Sequence, residues 1–182
     1  MKHSALAVAL AFATLPFGCG PSSSLPAEEQ VKILKEDVAA TIETCKSKFP
    51  STAKDFSSAH AYAVYPAIGK GGLIVGGFSG KGLVYERGKL VARSSAGGGT
   101  IGAQIGGQSF SEVIFFESEA SFAKFKRGET AFQAGGSATA GTASASAAND
   151  YKDGVKVMTF DGGGLMLEGV IGGQTFSFEP VS

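Results

Sequence analysis

The chain has 182 residues, of which 43% are hydrophobic and 18% charged, with 27 glycines and no tryptophan. This length provides one domain with a hydrophobic core and excludes two large ones. Sixteen basic residues balance sixteen acidic ones, which excludes the overall basic field that holds many proteins on nucleic acid or on an anionic surface.

The N-terminus resembles a secretory signal peptide. Met1-Lys2-His3 is followed by a mostly apolar run over residues 5–17, which is too short to cross a bilayer. Two cleavage sites fit this segment. Ala11-Phe12-Ala13 has the small-x-small form of ordinary cleavage, and Leu15-Pro16-Phe17-Gly18-Cys19 is similar to a bacterial lipobox.

We favour cleavage before Cys19, because it uses the whole apolar run and leaves a flexible segment rich in glycine and serine. Pro16 stands where a lipobox usually has leucine, so the plain secreted form stays open. The expected organisation is a signal peptide over residues 1–18, an acylated Cys19 with a tether over 19–25, and a domain over 26–182.

The domain is expected to begin with a helix over residues 26–49. Pro26 suits a first helical position and Pro50 ends the pattern. Apolar residues recur at intervals of three and four and therefore share one helical face: Val31, Leu34, Val38, Ile42 and Cys45. Cys45 is expected to be a buried core residue rather than a reactive thiol. The polar face is mixed in charge, which favours a helix packed on a sheet over a membrane-surface helix.

From His60 onward the hydrophobic period changes to two, and short apolar runs alternate with glycine, as in antiparallel sheets. The predicted strands are 61–65, 73–78, 83–85, 90–93, 113–116, 155–160, 165–170 and 175–178. Hairpin turns are predicted at residues 79–82 and 87–89. A short helix is predicted over residues 118–127, with Ser118 as its cap, Phe122 and Phe125 as its apolar face and Gly128 as its stop.

A repeated segment indicates that this sheet is strongly curved. Residues 105–111 (IGGQSFS) recur as residues 171–177 (IGGQTFS), each after a run of three glycines. Paired glycines in apolar β sequence mark bulges and close backbone approach. The predicted fold is α+β: one domain with a mainly antiparallel, curved, glycine-rich sheet or partly closed barrel, an N-terminal helix and one short helix. Residues 134–148 contain only Ala, Gly, Ser and Thr and fit either strand or linker.

Motifs for chemistry are scarce. Residues 97–102 match the glycine pattern of a dinucleotide-binding loop, but β sequence rather than a helix follows them, so we reject this interpretation. His60 is the one histidine after the signal peptide, which excludes a zinc site of the usual His and Cys type, and no G-x-S-x-G elbow is present. We expect no enzymatic activity, no cofactor and no metal, and His60 is expected to be structural.

A series of short motifs runs from about residue 60 to residue 180: AVYP with GKGG at 63–72, VGG at 75–77, GKG at 80–82, GAQIGGQS at 102–109, Phe122 with Phe125, GL at 164–165 and GV at 169–170. The order of these motifs resembles the SYLF domain family, whose members include eukaryotic endocytic proteins and bacterial exported proteins. SYLF proteins are described as lipid-binding, and the eukaryotic members also bind phosphoinositides and actin.

The resemblance implies a phospholipid-binding protein of the bacterial envelope, on the periplasmic face of a membrane and by preference the outer membrane. Actin is absent from that compartment, so actin binding is not expected to transfer, and nucleic acid is not an expected partner. Eukaryotic members bind membranes with help from a basic N-terminal segment, which a signal sequence and a helix of mixed charge replace here. The family's lipid-binding residues therefore cannot be assigned one by one.

Local charge indicates where lipid headgroups would bind. Residues 70–93 contain five basic residues, Lys70, Lys81, Arg87, Lys89 and Arg93, against Glu86 alone. Clustered on one rim, they would meet phosphate groups. Lys70 and Lys81 are the preferred candidates, because both lie in family-like Gly-Lys-Gly pieces. The alternative hypothesis is a structural or protein-interaction lipoprotein, whose acyl anchor is its sole lipid contact and whose sheet edge binds protein.

Overall fold

The computed structural model describes residues 26–72, 75–101, 108–129, 151–161, 164–165 and 174–181. Within these ranges there are three helices, α1 (Ala27–Lys48), α2 (Thr52–Ser58) and α3 (Glu119–Lys126). Eight strands form one sheet: β1 (Ala61–Gly72), β2 (Val75–Glu86), β3 (Lys89–Ile101), β4 (Gln108–Phe116), β5 (Val155–Asp161), β6 (Gly164–Leu165), β7 (Gln174–Phe176) and β8 (Glu179–Pro180). The strand order is β6-β5-β4-β1-β2-β3-β7, with β8 beside β3, and every described pairing is antiparallel.

The sheet is strongly curved, as the sequence predicts. β7 lies four positions from β4 in the strand order, which in a flat sheet would separate them by roughly 19 Å. Instead, the Gln174 side-chain amide on β7 lies 2.8 Å from a carboxylate oxygen of Glu112 on β4. The rings of Phe176 and Tyr65, on β7 and β1, are 5.5 Å apart. The α+β class with a curved antiparallel sheet is therefore confirmed.

Each face of the sheet has its own hydrophobic core. The concave face packs against α3, and its core is rich in aromatic rings: Tyr65, Phe78, Phe110, Phe116, Phe122, Phe125 and Phe176. The outer face is covered by α1 and α2, and its core contains Val38, Cys45, Val64, Leu83, Val113, Phe115, Met158 and Phe160. Alternate residues of the central strands therefore enter different cores, as the two-residue period requires.

A bulge in β1 sets the close contact between β1 and β2. Val64 pairs with Leu83 and Ala67 with Lys81, so Tyr65 and Pro66 stand opposite Gly82 alone. A Cβ atom on Gly82 would lie 2.5 Å from the Tyr65 ring and from the Val64 carbonyl oxygen. The prediction of a hairpin turn at residues 79–82 is wrong: these residues lie inside β2, and Gly82 is needed for close strand approach rather than for a turn.

α1 confirms the predicted N-terminal helix and its buried face. It ends at Lys48, before Pro50, and Val38 and Cys45 are fully buried. Cys45 is a free cysteine whose sulfur lies 3.7 Å from the Thr52 hydroxyl. Burial raises the pKa of the thiol, which keeps it protonated and unreactive.

α2 is a helix that the sequence pattern did not indicate, and a buried ion pair fixes it to the sheet. Asp55 of α2 accepts a 2.6 Å hydrogen bond from Lys156 Nζ of β5, with side-chain exposures of 12% and 3%. The Tyr151 hydroxyl donates to the other Asp55 oxygen at 3.3 Å. If one partner moves away, the other charge stays buried without a counter-charge. The ion pair is therefore a strong constraint on where α2 packs.

The turn at Arg87 and Gly88 is confirmed. Both residues have positive φ, at 49° and 76°, as a two-residue type I′ hairpin requires. α3 also has the predicted cap: the Ser118 side chain accepts a hydrogen bond from the Ser121 backbone at 3.2 Å. Gly128 follows the helix with φ of 68°.

Several predictions lie outside the described residues. They are the signal peptide, Cys19 and the tether, residues 134–148, residues 166–170 of a predicted strand, and the first three residues of each copy of the repeat (105–107 and 171–173). Of the rejected dinucleotide-binding match at 97–102, residues 97–101 lie within strand β3. This part of the match therefore has extended backbone rather than the strand-to-helix turn that binds a pyrophosphate.

We predict that Gly82→Ala lowers the free energy of unfolding by about 1–3 kcal/mol, because its methyl group overlaps backbone and ring atoms of the β1 bulge. Gly71→Ala is the matched control, since a Cβ at Gly71 meets nothing within 4 Å. Urea denaturation of both variants measures the difference. Equal stability of the two would contradict the close packing at the bulge.

Candidate functional site

The hairpin of β2 and β3 carries four of the five basic residues that the sequence selects. Lys81 lies in β2, Arg87 in the turn, and Lys89 and Arg93 in β3, and all four are exposed. Lys81, Arg87 and Lys89 form no ion pair with a carboxylate of the described residues. The hairpin therefore presents free positive charge to solvent.

These four residues form two pairs rather than one cluster. Lys81 and Arg93 are diagonal neighbours on the outer face, because Lys81 stands opposite Ser95 and Arg93 opposite Leu83. Arg87 and Lys89 lie at the turn, six residues or roughly 20 Å along the strand from Lys81. Arg93 Nη2 lies 3.7 Å from Glu179 Oε2, but both side chains are about half exposed. Because water screens such a pair, Glu179 neutralises little of the Arg93 charge.

Lys70 does not join the other basic residues. It lies on the concave face, on the same side of β1 as Ile68, with its Cα opposite Phe78 and Gln108. It is only 7% exposed. Side chains alternate along each strand, which turns Lys70 of β1 inward and Lys81 of β2 outward. The five residues therefore do not cluster on one rim, as headgroup binding by all five would require.

An open cleft of about 510 Å³ lies beside the hairpin turn. Three connections form its walls: the end of α2 with the residues leading into β1, the β2–β3 turn, and the segment between β4 and α3. Its lining residues are Phe56, Ser57, Ser58, Ala59, His60, Arg87, Gly88 and Glu117. No pattern in the sequence predicts a cleft around His60.

His60 has a structural partner at the edge of this cleft. Its Nε2 lies 2.9 Å from Glu86 Oε1, and the side chains are 12% and 32% exposed. The backbone N–H of Arg87 donates to the His60 carbonyl at 3.0 Å. The nearby hydroxyls of Ser57 and Ser58 both donate to the Lys54 carbonyl at 2.8 Å. His60 thus joins the start of β1 to the end of β2, and no hydrogen-bonded serine–histidine pair forms there.

The concave face also contains buried polar groups. Ser94 Oγ donates its one hydrogen to the Ser177 carbonyl at 2.6 Å, so the Tyr65 hydroxyl, 2.7 Å away, is the donor to Ser94. Desolvation by burial raises the pKa of Tyr65 far above its usual range. These bonds connect β1 through β3 to the segment after β7 and help to close the curved sheet.

Glu112 and Gln174 form a second polar link across the concave face, and each is 1% exposed. Gln174 Nε2 donates to Glu112 Oε1 at 2.8 Å. The other two oxygens, Glu112 Oε2 and Gln174 Oε1, are buried without a hydrogen-bond partner. Buried acceptors without a donor are costly, so this arrangement calls for a physical explanation.

A proton on Glu112 provides that explanation. Burial raises the pKa of Glu112 to about 7, opposed by hydrogen bonds from Gln174 and Thr159. A protonated carboxyl group carries no buried charge and turns one of its two acceptor oxygens into a donor. Protonation therefore lowers the cost of burying Glu112 beside the unpartnered Gln174 Oε1.

No sequence pattern marked Glu112, Gln174 or Glu117 as a candidate functional residue. A weak signal for Glu112 exists, because it shares the inward alternation of Phe110, Ile114 and Phe116 and so is a charge in a core position. Gln174 belongs to the repeated segment, but only the glycines of that segment predicted a structural feature, the curvature of the sheet. Glu117 contributes to the cleft through the positions of three separate connections, which no local pattern encodes.

Within the described ranges, no group of three or more His, Cys, Asp or Glu side chains is placed to hold a metal ion. None of the described helices has the length and apolar character that a membrane span needs. Comparison of the chain with protein-family models and with curated proteins found no match.

We predict that stability falls as the pH rises from about 4.5 to about 7. The unfolded chain loses the Glu112 proton near the ordinary value of 4.5 and the folded protein near 7, so the folded state holds more protons in this window. The shift corresponds to about 3 kcal/mol, present in full below pH 4.5 and lost above pH 7. Glu112→Gln removes this contribution, because its amide stays neutral at every pH.

The measurement is urea unfolding of wild type and Glu112→Gln at several pH values between 4 and 8. Glu36→Gln, an exposed glutamate on α1, is the matched control and should follow the wild-type profile. A stability difference between wild type and Glu112→Gln that stays constant with pH would show that Glu112 is not protonated in the folded protein.

Proposed function

We propose that this protein is a non-enzymatic phospholipid-binding module of the bacterial cell envelope. It is held at the membrane by an acylated Cys19 and binds anionic phospholipid through the exposed basic residues of the β2–β3 hairpin. The observation that carries the proposal is the hairpin itself, where Lys81, Arg87 and Lys89 are exposed and form no ion pair with any carboxylate in the described part of the chain.

Electrostatics supports a local rather than a global interaction. Acidic and basic residues are equal in number over the chain, so long-range attraction to an anionic membrane is weak. Basic side chains near an anionic surface contribute about 1 kcal/mol each and lose this contribution as salt is added. Three unpaired cations on one hairpin therefore add modest, salt-sensitive affinity, which is sufficient to orient a protein that a lipid anchor already holds at the membrane.

The resemblance to SYLF proteins supports the same class of ligand, since those proteins are described as lipid-binding. The glycines of the GKG piece at residues 80–82 have a structural role in the close packing of β1 against β2. Lys81 between them remains exposed and is free for a headgroup. Lys70 in the other GKG piece is buried, so its substitution would test folding as much as binding.

We predict that residues 20–182 co-sediment with anionic phosphatidylglycerol vesicles at low salt and dissociate as salt is raised. Lys81→Glu and Lys89→Glu should each weaken binding about fivefold to tenfold, because each reverses a charge that faces the surface. The quantity measured is the bound fraction over a range of vesicle concentrations at two ionic strengths.

Lys124→Glu is the matched control. It reverses an exposed charge on α3, which is not part of the hairpin, and should bind as wild type does. Equal loss in all three variants would indicate a nonspecific effect of net charge. Absence of binding to any vesicle would overturn the proposal and favour the structural or protein-interaction alternative, in which the acyl anchor is the sole lipid contact.

A further inference from the structure

Two opposite charges line the cleft beside the hairpin turn without neutralising each other. Arg87 extends from the β2–β3 turn and Glu117 from the segment between β4 and α3. Their charged atoms are not within 4 Å of each other, and neither forms an ion pair with another charged side chain of the described residues. The cleft therefore offers a separate cationic and a separate anionic wall.

The cationic wall suits a phosphate group. The Arg87 guanidinium is planar and presents its N–H donors in the fork that matches phosphate oxygens. Lys89, two residues further along the chain, is exposed but does not line the cleft. Arg87 is the one lysine or arginine among the described residues that line it.

The anionic wall suits an ammonium group that carries hydrogens. The Glu117 carboxylate is an acceptor, and the cleft also borders the C-terminal end of α2 at Ser57 and Ser58, where the last carbonyls of a helix lack partners within the helix. A quaternary ammonium group has no N–H to donate and usually binds in a cage of aromatic rings.

No such cage is present in this cleft. Phe56 is its one aromatic lining residue apart from the His60 ring. The Phe56 ring packs at 5.1 Å from Tyr62 and 4.8 Å from Phe115 between centroids, and Lys46 Nζ lies 5.5 Å from its centre. His60 is engaged with Glu86. The acceptor set thus favours a primary over a quaternary ammonium.

We propose that this cleft binds a phosphoethanolamine group, with the phosphate at Arg87 and the primary ammonium at Glu117. The volume of about 510 Å³ falls in the range of small-molecule sites. The inference rests on the proposed function in one respect: it names a zwitterionic headgroup that the same hairpin region would select from a membrane. A soluble phosphoethanolamine ester has the same chemistry.

The test is isothermal titration calorimetry on the full chain with Cys19→Ser in nonionic detergent, with glycerophosphoethanolamine as the probe. We expect Arg87→Gln and Glu117→Gln each to weaken binding about tenfold. Lys124→Gln is the matched control and should leave binding unchanged, because Lys124 is an exposed lysine of α3 that does not line the cleft. Glycerophosphocholine should bind at least about tenfold more weakly than the probe, because it cannot donate to Glu117.

Glycerol 3-phosphate tests the cationic wall without the anionic one. It has a phosphate but no ammonium, so Arg87→Gln should weaken its binding and Glu117→Gln should not. Equal affinity for the ethanolamine and choline esters, or an unchanged affinity in Glu117→Gln, would overturn the assignment. Lack of any binding of glycerophosphoethanolamine at millimolar concentration would overturn the site itself.

A competition arm distinguishes the two sources of the ligand. Glycerophosphoethanolamine that displaces the protein from phosphatidylethanolamine vesicles supports a membrane headgroup, and binding of the ester without displacement supports a soluble ligand. The anionic-vesicle assay with Lys81→Glu is an independent readout. Vesicle binding without ester binding therefore contradicts the cleft assignment alone, whereas failure of both assays contradicts the proposed function as well.

Discussion

The close packing of β1 against β2 at the Tyr65–Pro66 bulge is the constraint on which the described architecture depends. β1 pairs with β2 on one side and β4 on the other, so a distortion in β1 affects both halves of the sheet. At Gly82 the absence of a side chain lets the Tyr65 ring lie directly over the backbone. The Tyr65 ring also packs against Phe176, and its hydroxyl lies 2.7 Å from Ser94 Oγ. These contacts hold β3 and β7 in the curved sheet.

Curvature in turn explains the buried polar groups of the concave face. Glu112 and Gln174 come within hydrogen-bond distance because the sheet bends β7 toward β4. In a flat sheet the two strands would be separated by roughly 19 Å, so the two side chains could not pair. The raised pKa of Glu112 is therefore a consequence of strand geometry, since desolvation by burial is its largest cause.

The sequence predicted features that depend on neighbours close along the chain. The face of α1 around Val38 and Cys45, the turn at Arg87 and the cap at Ser118 all follow from local periodicity or backbone preference. Features that depend on distant segments were not predicted. α2 is short, and its position depends on the ion pair with Lys156. The buried position of Glu112 depends on its contact with Gln174. The cleft at His60 is formed by three connections that are separated in the chain.

The positions of the basic residues were likewise predicted only in part. Five basic residues lie close together in the sequence, and four of them are exposed on one hairpin. The pattern did not reveal that Lys70 points into the concave core, because this depends on strand pairing and on the β1 bulge. The family-like Gly-Lys-Gly pieces are thus alike in sequence but differ in position: one lysine is buried and the other is free.

The ion pair of Asp55 and Lys156 has a consequence for how the chain acquires its structure. The two residues are 101 positions apart, and β1 to β4 are complete before β5 begins. Until β5 docks, Asp55 lacks its counter-charge beneath α2, so the covered outer face cannot form in full. The last third of the chain therefore closes the structure made by the first two thirds, which favours cooperative folding over independent folding of the N-terminal part.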